Sequence, residues 1–236
     1  MTTIAYVGSE LDLFVRATNW KQYVRARIEK FLGPNVLEIG AGFGGTTQAL
    51  ATAAHERWLC VEPDGTLADR LRASIGDGIL PAYCAVQEGT ITDVPRGEEF
   101  DSILYMDVLE HIEDDAAEVE RAAARLAPGG HLIVLSPAHP WLYTEFDRAL
   151  GHFRRYTKRT LARLGTPALE LTRLEYLDSV GLLASLANRV LLRQSMPTAR
   201  QVAVWDKALV PASKWIDPLT CHCVGKSVLG VWRRRH

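Results

Sequence analysis

Short apolar runs and segments of helical spacing take turns through the first part of the chain. Residues 36–39, 57–62, 82–86, 101–106 and 131–136 are nearly continuous apolar stretches, as strands buried on both faces tend to be. Between them, 46–54, 66–74 and 116–126 place apolar side chains three and four positions apart, as amphipathic helices do. Strand and helix in repeated order predict a parallel sheet with crossover helices on both faces. Ahead of it, Leu11, Leu13, Phe14, Val15, Trp20, Tyr23, Val24 and Ile28 share helical spacing. Gly33-Pro34 stops that segment, because proline cannot continue a helix.

After Ser136 the alternation ends. Residues 137–156 are aromatic and charged without a clean period, which predicts a functional loop or lid. A helix is expected over 157–164 with Thr157 as its N-cap, a strand over 169–177 and an apolar helix over 180–192. That apolar helix could cap a pocket, form a dimer face or touch a membrane surface. The last strand is expected over 227–232. The turn Pro128-Gly129-Gly130 should lead into the fifth strand.

The sharpest local signal is Glu38-Ile39-Gly40-Ala41-Gly42-Phe43-Gly44-Gly45, between a strand and a helix. Its glycines allow a tight turn and close approach of backbone to a nucleoside cofactor. Gly40, Gly42 and Gly45 also satisfy Gly-x-Gly-x-x-Gly, so a nicotinamide-dependent oxidoreductase is the alternative. Either cofactor wants an acid at the end of the second strand for ribose hydroxyls, and Glu62 fills that place. Glu38 separates the two. A carboxylate just ahead of the glycines has a task if the ligand carries an ammonium group, as the methionine half of S-adenosylmethionine does. No tyrosine is followed four residues later by lysine, the pair that short-chain dehydrogenases use.

Composition changes this picture little. The chain has 236 residues and a formal net charge of −1, which suits one domain and gives no reason to expect a nucleic-acid partner. No Asn/Asp-Pro-Pro-Tyr/Phe motif of the kind used on flipped bases is present. No secretory signal and no apolar stretch of membrane-spanning length is seen, so a cytoplasmic location without stable membrane insertion is expected. Cys60 and Cys84 fall in strand-like runs and read as buried hydrophobes. Cys221-His222-Cys223 has no second ligand cluster of suitable spacing, so no metal is expected.

The run 36–44 resembles motif I of class I S-adenosylmethionine-dependent methyltransferases. Phe100-Asp101-Ser102-Ile103-Leu104-Tyr105-Met106-Asp107-Val108-Leu109-Glu110-His111-Ile112 resembles their fourth-strand motif, and Leu126-Ala127-Pro128-Gly129-Gly130-His131-Leu132 the turn before their fifth strand. Pro137-Ala138-His139-Pro140, Phe146-Asp147, Gly151-His152-Phe153-Arg154-Arg155-Tyr156, Asn19-Trp20, Tyr23 and Gly225-Lys226-Ser227 resemble a bacterial small-molecule subgroup sometimes fused to glycosyltransferases. The resemblance implies an α/β, Rossmann-like, seven-stranded and mostly parallel sheet, helices on both faces, the last strand antiparallel, with an N-terminal helix and a lid insertion. It implies one domain over 1–236: a helical cap at 1–32, a cofactor-binding core at 33–136, a lid at 137–156, and remaining core at 157–236 with a helical cap at 179–215. It also implies S-adenosyl-L-methionine as cofactor. Gly40, Ala41, Gly42 and Gly44 would hold the methionine part beside Glu38. Glu62 would bind ribose and Pro63 would lie against adenine. Thr90 and Ile91 would border the adenine edge, Thr90 standing where many members carry an acid. Met106 would contribute backbone contacts, and Trp20 and Tyr23 would cover the cofactor or pack the helix to the core.

Methyl transfer from a sulfonium has a good, neutral leaving group, so positioning and desolvation can supply much of the catalysis. A base is needed only if the acceptor carries a proton that must leave. His111, after the fourth strand, is the first candidate, with His152 and Tyr143 on the lid behind it. His139, Arg154, Arg155 and Tyr156 could bind an anionic small-molecule substrate or tie the lid down, Arg155 by pairing with Asp147. The expected reaction moves methyl to O, N or C of a small metabolite or natural product. A cofactor-binding chain that transfers no methyl remains a further alternative, and a homodimer is left open.

Overall fold

The computed structural model describes residues 17–187 and 198–235. Residues 11–15 of the expected first helix and 188–192 of the apolar helix lie outside them. Strand β1 (Asn35–Ile39) pairs in parallel with β2 (Arg57–Glu62) on one side and β4 (Phe100–Met106) on the other. Strand β3 (Cys84–Glu88) extends the sheet beyond β2, and β5 (Leu126–Pro137) beyond β4. Strand β7 (Ser227–Arg234) then enters antiparallel between β5 and β6 (Leu169–Leu177). The order is β3-β2-β1-β4-β5-β7-β6, the expected seven-stranded, mostly parallel sheet with its last strand antiparallel.

Side chains of a strand alternate between faces, and the sequence uses both. Leu37, Ile39, Leu59, Val61, Ile103 and Tyr105 face one layer, packed with Val119 and Ala122 of α4 (Asp115–Ala124). Val36, Trp58, Cys60 and Leu104 face the other. There they meet Tyr23, Val24 and Ile28 of α1 (Thr18–Ile28) and Leu71 of α3 (Gly65–Gly76). Asp64 caps α3 by accepting from the Thr66 and Leu67 amides. Cys60 and Cys84 are buried and unbridged, as their strand settings implied.

Several boundaries differ from the pattern reading. Helix α2 (Gly45–Leu50) stops short of residue 54 because Thr52 to His55 form a turn, the Thr52 amide donating to His55 Nδ1 at 3.0 Å. Strand β3 begins at Cys84, since the Cys84 amide closes a turn onto the Pro81 carbonyl. Pro128-Gly129-Gly130 lies inside β5, where the pairing register shifts between Phe100 and Ser102.

Beyond β5 come a 3-10 turn (Pro140–Leu142), α5 (Glu145–Ala149) and α6 (Lys158–Ala162), which Thr157 caps as expected. Helix α7 (Ser179–Ala187) follows β6, and α8 (Ala199–Val204) runs through a π-helical turn into α9 (Val210–Leu219). Buried Asp217 accepts from the Tyr23 hydroxyl at 2.7 Å and from the Asp178 and Ser179 amides, fastening α1, the β6–α7 junction and α9 together. Helices α7 and α9 leave Leu183, Trp215 and Leu219 exposed. No described helix is long and apolar enough to cross a membrane.

Candidate functional site

Parallel strands end on the same edge of a sheet, so the loops after β1 to β5 converge at their carboxyl ends. The order in which strands are added reverses between the parallel neighbours β1 and β4, and the glycine loop sits at that switch point. Gly40, Gly42 and Gly44 all have left-handed φ, 67°, 55° and 74°. A Cβ on Gly40 would come within 2.6 Å of Val108 Cγ2, so the absence of a side chain lets the β1 and β4 loops touch. Gly40 and Ala41 donate to the Val61 carbonyl, which holds the loop over β2.

Glu38 lies beneath this loop, 2 % exposed. Its Oε2 accepts from Thr47 Oγ1 at 2.7 Å and Trp58 Nε1 at 2.8 Å. Burial pushes its carboxyl up to about 7, against the pull of those two donors and of the Lys21 ammonium. Lys21 reaches in from α1: a Cβ on Gly45 would stand 2.7 Å from its Nζ. Glu62, at the end of β2, takes the Gly42 amide at 2.8 Å and the Asp64 amide at 3.0 Å. Burial also raises the Glu62 carboxyl. Ala41 is buried and Pro63 half-buried beside it.

The Gly89 amide donates to the Glu62 carbonyl, joining the β3 loop to β2. Thr90 gives its amide and hydroxyl to Asp93 Oδ2 at 2.8 and 3.0 Å, so an acid stands three residues after the position where the family often has one. Ile91 is fully buried and Met106 half-buried. The Trp20 ring packs 5.7 Å from Trp205 and 6.1 Å from Tyr23, whose hydroxyl is the one bonded to Asp217.

After β4 the backbone turns sharply: Asp107 has φ 56° and donates its amide to the Leu135 carbonyl. It is an exposed residue at the mouth of this turn. The surrounding walls raise its carboxyl, and His152, Lys226 and Arg155 pull it back. His111 closes the following 3-10 turn (Leu109–His111), with its ring 4.5 Å from that of His152 and nearly perpendicular. Burial and the neighbouring His152 push His111 down to about 4, so it is neutral at neutral pH.

His152 arrives on the lid, whose two ends pair with each other through Ala138 and Tyr156. Asp147, fully buried, organises the lid interior. It accepts from Arg155 at 2.6 and 3.0 Å, from the Thr144 amide at 2.8 Å and from His152 Nδ1 at 3.0 Å. Burial alone would raise its carboxyl, but the His152 and Arg155 bonds hold it well below the usual carboxylate range. Tyr143 donates to the His152 carbonyl at 2.6 Å. Arg154 pairs with Asp115 at 2.6 Å, and buried Tyr156 donates to the same carboxylate at 2.7 Å. The His139 ring contacts the Gly225 carbonyl at 2.9 Å. The Phe153 amide donates to the Glu110 carbonyl, which docks the lid onto the β4 loop.

Lys21, Asp107, Glu110 and Lys226 therefore join the site without having been singled out, while Asp147 pairs with Arg155 as expected. Asp107 and Glu110 lay inside the fourth-strand motif and only lacked an assigned task. Lys21 and Lys226 reach the site from elements remote in sequence. A cavity of about 330 Å³ bordered by Arg25, Gly33, Leu50 and His55 opens at the opposite, amino end of β1, away from these groups. Cys221 and Cys223 are exposed in a turn where Cys221 and His222 have left-handed φ.

Known proteins share this fold. A ubiquinone biosynthesis O-methyltransferase of Xylella fastidiosa is 34% identical over 114 residues, 48% of this chain and 45% of that protein. The chain thus matches less than half the length of such curated relatives. The N-methyltransferase NodS of Bradyrhizobium japonicum, solved with S-adenosylhomocysteine, superposes with a TM-score of 0.58 at 18% identity, covering 91% of this chain and 85% of NodS. The [4+2]-cyclase SpnF superposes with a TM-score of 0.61 at 14% identity, covering 97% of this chain and 95% of its own. These two show the fold. The family profile described as a methyltransferase domain matches residues 14–168, more than half the chain and all of the loops from β1 to the lid. With that match laid over the glycine loop, Glu38 and Glu62, the chain belongs to the class I S-adenosylmethionine-dependent methyltransferase family.

Proposed function

We propose that this protein transfers the methyl group of S-adenosylmethionine to a small-molecule acceptor held between the β4 loop and the lid. The observation that carries this is the 2.8 Å bond from the Gly42 amide to Glu62, which brings the glycine loop and the ribose-binding acid together at the switch point. Gly40, Ala41, Gly42 and Gly44 would carry the methionine part, with Glu38 and Lys21 beneath it. Glu62 would release the Gly42 amide to bind the ribose hydroxyls. Pro63, Thr90 and Ile91 would border the adenine, Met106 the methionine group, and Trp20 and Tyr23 would brace the helix above them.

His111 and His152 face each other where an acceptor would meet the sulfonium, and they take the acceptor's proton where one must leave. Tyr143 fixes His152 by its backbone. Arg154, Arg155, Tyr156 and His139 are each engaged within the protein, which supports a role in shaping the lid around the acceptor. The ubiquinone O-methyltransferase relatives favour an oxygen acceptor on a small molecule. SpnF, a cyclase on the same fold, keeps open a second reading in which the bound cofactor transfers no methyl.

Incubating the protein with methyl-labelled S-adenosylmethionine and a panel of small hydroxylated acceptors tests the reading. Label in an acceptor with matching S-adenosylhomocysteine is the expected outcome. Cofactor bound without turnover on any acceptor would favour the second reading. Binding of NAD in preference to S-adenosylmethionine would overturn both.

A further inference from the structure

Glu110 is fully buried, and neither carboxylate oxygen has a hydrogen-bond partner among the described residues. Its neighbour Ser136 also buries an unpartnered hydroxyl. The Ser136 hydroxyl beside Glu110 draws its carboxyl down against burial but makes no well-formed hydrogen bond to it, and a carboxyl so poorly partnered is costly to bury. The nitrogen donors of His111 and His152 complete a set with Glu110 in which one donor atom from each residue lies within 4.8 Å of the others. His152 contacts Asp147 through Nδ1 at 3.0 Å, which leaves Nε2 for another partner. Asp147 is itself anchored by Arg155 and Thr144, so the imidazole is held from behind.

The geometry points to a site for a divalent transition-metal cation held by Glu110, His111 and His152, with Asp147 orienting the His152 ring. Two imidazoles and one carboxylate suit Zn²⁺, Co²⁺ or Fe²⁺ better than Mg²⁺ or Ca²⁺, which prefer all-oxygen sets. Donors about 2.1 Å from a tetrahedral ion lie about 3.4 Å apart, so side-chain shifts of about 1 Å close the set. A carboxylate behind a ligating histidine is the usual means of fixing its tautomer and raising its basicity. Three protein ligands leave a coordination position open toward the cleft, for water or an oxygen of the acceptor. In that case the two histidines act on the acceptor through the ion. The inference rests on the proposed methyl transfer only for that last role; the cation site stands on the side chains alone.

The test uses full-length protein stripped with a chelator, dialysed, and titrated with CoCl₂ or ZnCl₂. The expected result is one equivalent of either ion per chain, with Co²⁺ showing the visible absorption of a low-symmetry site. Glu110→Gln and His152→Ala should each weaken binding by about 10-fold or more, and Asp147→Asn by about 10- to 100-fold. The Cys221→Ser/Cys223→Ser double variant should bind as the parent does. No uptake by the parent overturns the site, as does undiminished binding in Glu110→Gln and His152→Ala, or loss of the ion with the cysteines. S-adenosylhomocysteine binding measured on the same samples keeps the two ideas apart. If the parent binds it without taking up metal, only the cation site fails; if the parent does not bind it, the proposed function fails.

Discussion

Glu38 is pulled two ways by its surroundings. Burial favours its protonated form, while Thr47, Trp58 and Lys21 favour the carboxylate, and the balance lies at about 7. The folded protein thus keeps a proton that the unfolded chain releases at the ordinary carboxylate value. The stabilisation from that proton is complete below the ordinary value and is lost as pH rises through about 7. Glu38→Gln keeps an acceptor for Thr47 and Trp58 but cannot titrate. Its Tm, measured without ligand, should gain on the parent as pH rises from about 5 to about 8. A gap that does not change with pH would contradict this account of the site. Near neutral pH the same variant should bind S-adenosylhomocysteine about 10-fold more weakly, the worth of one charge-assisted bond to the ammonium. Glu38 was legible in the sequence because it stands just ahead of the glycine run, and Glu62 because it ends the second strand. The pairing of Arg155 with Asp147 was legible too; Lys21 was not, since only tertiary packing brings it to the site and no local spacing marks it.

At the scale of elements, the lid was legible as an interruption of the alternation, and of its internal fastening only the Arg155–Asp147 pair was. A helix as short as α5 carries little periodicity, and it owes its placement to a capping box at Thr144 and to the Asp147 hub. Asp147→Asn leaves the Arg155 charge half-buried without its partner and should cost about 3 kcal/mol in urea unfolding. Because the Asp147 carboxyl is held low, its contribution is present above the ordinary carboxylate value and lost as pH falls below it. Protection factors for hydrogen exchange across residues 144–156, corrected for the slower intrinsic exchange in acid, should fall in the parent as pH drops, and a lid whose protection is acid-insensitive would refute the hub. Helix α1 is fastened differently, through the Tyr23 hydroxyl on Asp217. Tyr23→Phe should cost about 1.5 kcal/mol by chemical denaturation. No measurable loss would mean that the other donors to Asp217 suffice.

Across the whole molecule, one topological fact places every group discussed. Five parallel strands deliver their loops to a common edge, and the order reversal between β1 and β4 opens a crevice there. That much followed from the repeated strand–helix order, because buried parallel strands are nearly continuous in apolar residues. The fault lines fell where strand edges and turns decide the outcome: β3 at the sheet edge, and Pro128-Gly130, which reads as a turn but is absorbed into β5 by a register shift. Gly40 tests the crevice as a unit. Its φ of 67° and the nearby Val108 side chain leave no room for a methyl group, so Gly40→Ala should separate the β1 and β4 loops. The folded variant should retain its far-ultraviolet circular dichroism but lose most cofactor affinity.

The most direct measurement is calorimetric titration of the parent and of Glu62→Ala with S-adenosylhomocysteine. Saturable binding of one molecule per parent chain, weakened by about 10-fold or more in the variant, is the predicted result. A folded parent that takes up none, or a variant that binds as tightly as the parent, would contradict the claim that the glycine loop and Glu62 together hold the cofactor.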